Sequence, residues 1–143
     1  MELQHIQSAH CESGVCVNML SHYGISLSEP MIFGSGSGIF FIHIPFLKVN
    51  GVPATSYRIW PGAIFNRSMK LLGAKVVTKK FKSPQESMNA LDELLDKKIP
   101  VGVMCSVYYL PYLPDAYRFH FNAHNIVGCA MDGDEYIVGD PVL

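Results

Sequence analysis

The feature that most restricts the fold is a division of periodicities along the chain. Helical spacing dominates the first two thirds, and short β-branched runs broken by turns dominate the last third. From Cys11 the residues Val15, Cys16, Met19, Leu20 and Tyr23 recur at helical spacing, and Gly24 follows where a left-handed cap closes a helix, so a helix is predicted over 11–22. Ser28 caps a shorter one with Pro30 in its first turn, interrupted by Gly34. Ile64, Phe65, Met69 and Leu72 share one side of a helix over 61–72, closed by Gly73. Ser83-Pro84-Gln85-Glu86 joins a capping box to proline at the first helical position and opens a helix over 84–97. Strands are predicted at 39–46, read as buried, and at 75–81, 101–109, 125–131 and 135–139. The last two form a hairpin about Asp132-Gly133, and Asn50-Gly51 supplies an earlier turn. Helices followed by a mostly antiparallel sheet make the class α+β.

At 143 residues, with 49% hydrophobic and 16% charged side chains, the chain can build the core of one domain, and no repeat or linker suggests a second. A formal charge of −1 offers no basic stripe for a phosphate backbone, which argues against nucleic acid as a partner. The start, Met1-Glu2-Leu3-Gln4-His5, has no basic segment leading an apolar run, and no uncharged stretch is long enough to span a bilayer. No membrane partner and a cytoplasmic location are expected. The cysteines at 11, 16, 105 and 129 are too few and too dispersed for a disulfide framework.

Cys11 falls at a helix start, where unpaired N–H groups and the helix dipole favour a thiolate. Cysteine is also a common small core residue, so the position needs support from elsewhere. A nucleophilic thiol requires a base, and the base an acceptor on its other ring nitrogen. His124 and Asp140 flank the Asp132-Gly133 hairpin and meet the requirement if the register puts both on one face. A strict two-residue loop sets them on opposite faces, so a three-residue or bulged turn around 132–134 is predicted. The alternative is a satisfied surface histidine and an aspartate capping its own Asp-Pro turn. Oxyanion donors are the Cys11 backbone N–H and a side-chain amide, Gln4 or Gln7. His10 and Glu12, on either side of the thiol, and His120, a substitute base, are secondary candidates. The glycine loop 34–38 lacks the Lys-Ser/Thr of a phosphate-binding loop and precedes a strand, so a hinge or close-packed turn is expected there. Cys11 and Cys16 are poorly spaced for a closed zinc site, and the chemistry calls for no metal or cofactor.

His10-Cys11-Glu12-Ser13, Leu20-Ser21-His22-Tyr23-Gly24, the run from Leu27-Ser28-Glu29-Pro30 through Met31-Ile32-Phe33-Gly34, and Gly36-Ser37-Gly38 resemble the N-terminal domain of the butirosin biosynthesis protein H family. His124-Asn125-Ile126-Val127-Gly128 and Gly139-Asp140-Pro141 continue the likeness and are also similar to blocks of the bacteriocin-processing cysteine peptidases. The resemblance implies a papain-like fold and a catalytic set of Cys11, His124 and Asp140. It also implies transfer of an acyl group from a carrier-protein or other thioester to an amine, in antibiotic or other secondary-metabolite biosynthesis. Members usually continue into a further C-terminal region, so the chain is expected to be the N-terminal part of a longer protein. The peptidases carry a glutamine six residues before the thiol, where this chain has His5. A peptidase or amidase uses the same constellation, and a third reading is a non-catalytic ligand-binding domain of the same fold with a groove formed by an exposed glycine loop, 34–38, and the aromatic-rich stretch 108–121. Oligomeric state is not encoded in any of these features.

Overall fold

A computed structural model describes residues 4–143. The described elements run α1 (Cys11–His22), α2 (Glu29–Ser35), β1 (Ile42–Val49), β2 (Val52–Ser56), α3 (Ala63–Leu71), α4 (Pro84–Asp96), β3 (Val101–Cys105), β4 (His124–Asp132) and β5 (Glu135–Gly139). Two short 3-10 turns, Val107–Tyr109 and Asp115–Tyr117, lie between β3 and β4. The order is the α+β class expected, with an antiparallel β3-β4-β5 sheet and a separate β1-β2 hairpin.

Helix α1 is the centre of the molecule. Every residue from Cys11 to Asn18 is buried, because elements pack around it on several sides and its sequence therefore shows no single apolar stripe. Small residues admit the close neighbours. A Cβ on Gly14 would stand 2.6 Å from Pro141 Cβ, and one on Gly102 of β3 would stand 3.2 Å from both Val15 and Met19. The helix ends in a Schellman motif: Gly24 N–H donates to Ser21, Ile25 N–H donates to Leu20, and Gly24 takes φ 76°. Cys16, Val17 and Leu20 pack on Ile32 of α2 and Ala63, Ile64 and Met69 of α3. On the sheet side Val15 and Met19 meet Val127 and Cys129. Helix α4, capped where Ser83 Oγ accepts from Glu86 N–H, brings Leu91 and Leu95 against Gly128.

Three expectations are corrected. The run 39–46 is not a buried strand: β1 starts at Ile42, pairs only with β2 across Asn50-Gly51, and leaves Phe46 88% exposed. Asn50 and Gly51 both take positive φ, as a type I′ turn demands, so the hairpin signal outweighed the apolar one. Residues 75–81 form no strand: they pair with neither β3 nor β5, the open edges of the three-stranded sheet, nor with the β1-β2 hairpin, and β character without a ladder partner makes no strand. The strand predicted over 101–109 stops at Cys105 and turns into a 3-10 turn. The glycine loop is a close-packed turn: a Cβ on Gly36 would lie 2.8 Å from the Ile64 backbone, and one on Gly38 would lie 2.6 Å from the Phe33 ring. No helix among the described residues is long and apolar enough to cross a membrane.

Candidate active site

The loop that delivers Cys11 is clamped by one carboxylate. Glu29, at the start of α2, accepts from the backbone N–H groups of Ala9 and His10 and from Ser13 Oγ. Before that loop, Asn18 of α1 takes both the N–H and the carbonyl of Ile6, and Ser8 N–H donates to Pro141 O at 2.6 Å. The Asp-Pro segment is thereby tied to the segment preceding the thiol, and Pro141 seats on Gly14 one turn into the helix. This is how Asp140, distant in sequence, reaches the helix that Cys11 begins.

Hairpin register supplies the rest. The turn is a strict two-residue one, Gly133-Asp134 between paired Asp132 and Glu135, and not the three-residue or bulged turn predicted for 132–134. A tight turn alone would put His124 and Asp140 on opposite faces. The pairing shifts between Gly128 and Ala130, so that Val127 opposes Gly139. This bulge at Cys129 inserts the extra residue four positions from the turn and sets His124 diagonal to Asp140 on the same face.

His124 Nε2 donates to Asp140 Oδ2 at 2.7 Å, with both side chains under a tenth exposed. Asp140 Oδ2 also accepts from Tyr112 Oη at 2.9 Å, and Oδ1 accepts from Val142 N–H. With Nε2 engaged, Nδ1 is the ring nitrogen left for the thiol. Burial favours the neutral form of Cys11, but hydrogen bonds from His124, from the Asn125 side chain and backbone, and from Arg58 outweigh it and lower the thiol to about 7. Hydrogen bonding to Asp140, then to Cys11, raises His124 to about 9 against the opposing effect of burial. Between those values the two groups form a thiolate–imidazolium pair. Burial pushes Cys16 up to about 12 and Cys105 up to about 11, and raises Cys129 as well. Cys11 is the one thiol of the four that is lowered.

The remaining candidates are dispersed. Gln4 and Gln7 are exposed, and neither is among the groups hydrogen-bonded to the thiol. His10 is the N-cap of α1: its Nδ1 accepts from Ser13 N–H at 3.4 Å, and burial, then the charge of Arg58, lowers its pKa. Glu12 is buried and accepts from Phe65 N–H, closing the first turn of α3, whose cap residue Gly62 has no side chain to do so. His120 is exposed and stacks on Tyr108 with ring centroids 4.2 Å apart. Three polar neighbours of the site were not singled out from sequence. Asn125 Nδ2 lies 3.6 Å and Arg58 Nη2 3.9 Å from Cys11 Sγ, and Tyr112 holds Asp140. Asn125 was findable as the residue after His124. Arg58, at the end of an exposed hairpin, carried no local signal.

The profile described as "Butirosin biosynthesis protein H, N-terminal" matches residues 10–141, nearly the whole chain. The chain belongs to that family. Its match takes in Cys11, Arg58, Tyr112, His124 and Asp140, so the whole cluster lies inside the butirosin biosynthesis protein H N-terminal domain. A solved structure from Bacillus anthracis, described as a "putative C39-like peptidase", superposes with a TM-score of 0.65 at 19% identity, covering 99% of this chain and 81% of that one. At that identity the likeness establishes the papain-like fold. None of the curated proteins is significantly similar to the chain.

Proposed function

We propose that the protein is a cysteine acyltransferase that moves an acyl group from a thioester, of a carrier protein or a small molecule, to an amine through an acyl-Cys11 intermediate. The observation that carries the reading is the single lowered thiol, Cys11, joined to a His124–Asp140 pair at 2.7 Å. The thiolate attacks the thioester carbonyl carbon, and the tetrahedral adduct collapses as the bond to the donor's sulfur breaks. The departing thiolate takes the imidazolium proton of His124. An amine then adds to the acyl group, gives a proton to His124 and displaces Sγ, which restores the ion pair. Asp140 holds the ring orientation and favours its charged form throughout. A reducing compartment such as the cytoplasm suits this chemistry and the four free cysteines.

A second reading is hydrolysis, in which water replaces the amine; the printed description of the Bacillus anthracis structure favours it. The test uses an N-acetylcysteamine thioester. Intact mass should rise by one acyl group in the native protein and not in Cys11→Ala, and an added amine should release the group as an amide faster than water releases it as acid. Hydrolysis unaffected by amines supports the peptidase-like reading. Absence of any adduct refutes both.

A further inference from the structure

Neither glutamine expected as the oxyanion donor hydrogen-bonds the thiol. His5 stands where the peptidases keep a glutamine, and its ring hydrogen-bonds the Leu143 carbonyl at 3.3 Å. Gln4 and Gln7 are exposed. The thiol is faced instead by a cation from another part of the fold. Arg58 leaves the foot of β2 with its backbone fixed: its N–H donates to Ser56 Oγ, and that hydroxyl donates to the Arg58 carbonyl at 2.7 Å. Ile59, 2% exposed, anchors the next residue in the core. No carboxylate pairs with Arg58 among the described residues, and its Nε is sealed from solvent without a hydrogen-bond partner there. A buried donor left unsatisfied in this way is costly unless an acceptor arrives during function.

We infer that Arg58 is the side-chain half of the oxyanion site, binding the tetrahedral oxygen opposite the Cys11 backbone N–H, in the place a glutamine amide takes in the peptidases. An oxyanion on the carbon bonded to Sγ lies only two bonds from the sulfur. A guanidinium nitrogen 3.9 Å from Sγ is therefore close enough to come within a hydrogen bond's length of that oxygen when it forms on the guanidinium's side. The Cys11 N–H, first in its helix, has no intrahelical acceptor and completes the pair. Asn125 Nδ2, 3.6 Å from Sγ, is the weaker candidate, because one of its two N–H donors is committed to Ala123 O at 3.3 Å and it is uncharged, whereas Arg58 brings a full positive charge. A full positive charge there suits an anion that exists only after attack, so its effect falls on the transition state.

This deepens the acyl-enzyme reading, and its test separates the two. Native protein, Arg58→Met and Arg58→Lys are compared at a pH where Cys11 is ionised in all three. Acylation by p-nitrophenyl acetate passes through a tetrahedral oxyanion; exchange with dithiodipyridine does not. Arg58→Met, which keeps the length of the side chain and removes every donor, should slow acylation at least about tenfold, toward the order of 10²-fold that loss of one such donor costs, with exchange changed less than about threefold. Arg58→Lys should recover part of the loss. Equal slowing of both reactions, or of neither, overturns the assignment. If the activated ester acylates Cys11 but amide never forms from a thioester, acyl transfer fails while the oxyanion role of Arg58 stands.

Discussion

Replacing His124 by alanine removes the largest favourable influence on the Cys11 thiolate, and the consequence can be worked through. A thiol at about 7 is half ionised at pH 7; if burial and the remaining Asn125 and Arg58 bonds offset one another in the variant and return the thiol to the ordinary 9.0, about one in a hundred molecules is ionised, a loss of about 50-fold. The more basic thiolate is the better nucleophile. With a Brønsted slope of about 0.4–0.5, two pKa units return roughly a factor of six to ten. Exchange of Cys11 with dithiodipyridine should therefore fall about five- to eightfold at pH 7 in His124→Ala. Above about pH 10, where both proteins are thiolates, the order should reverse and the variant should react roughly six to ten times faster. Mass spectrometry assigns the reacting cysteine, and the other three should stay silent at neutral pH because burial holds them protonated. Superimposable profiles, or a variant slower at every pH by a constant factor, would refute the thiolate–imidazolium pair.

Turnover should rise with pH through about 7 as Cys11 ionises and fall through about 9 as His124 loses its proton, giving a bell in kcat/KM. In Cys11→Ala, His124 should titrate below about 9 yet above 6.5 by NMR, since Asp140 is its larger support. Because that folded-state value lies above the ordinary one, the pair's stabilisation is complete below about pH 6.5 and lost as pH rises through the shifted value, so the variant's Tm should decline across that window. Cys11 itself is 7% exposed, more buried than its place at a helix start suggests, but removing one sulfur should leave the fold intact. Gly14→Ala gains about 1 kcal/mol of helix propensity but drives a Cβ to 2.6 Å from Pro141 Cβ and 2.8 Å from Ser8 Cβ. Overpacking of about 1–3 kcal/mol should outweigh the gain in urea unfolding, and displacement of Asp140 should lower turnover. Tyr112→Phe, which removes the 2.9 Å bond to Asp140, should cost about 1 kcal/mol in the same assay and raise the pKa of Asp140 in a carboxyl-carbon NMR titration.

Residues with strong local grammar were legible without coordinates. The helix from Cys11, its glycine closure, the Ser83 cap and the Asn50-Gly51 turn each follow from contacts within a few positions, and the structure has all of them. Misreadings arose where long-range partners decide. A run such as 39–46 reads alike whether it is buried or stands in an exposed hairpin, and 75–81 has β character but joins neither open edge of the sheet. The hairpin shows both sides at once. That His124 and Asp140 must share a face followed from chemistry and alternation, but the bulge that achieves it lies at Cys129, where no residue type advertises an extra position.

By itself, then, the amino-acid sequence determined the class, most helix limits, and which thiol, imidazole and carboxylate to examine, because helix starts, turns and side-chain alternation are local properties. Only the tertiary structure decided which groups surround the thiol. Arg58 and Tyr112 reach the site from loops 47 and 28 positions away from the residues they touch, and Gly14 matters because Pro141 rests on it. Such contacts are set by how α1 is enclosed, and close packing around a central helix is a property of the whole chain that no short segment specifies.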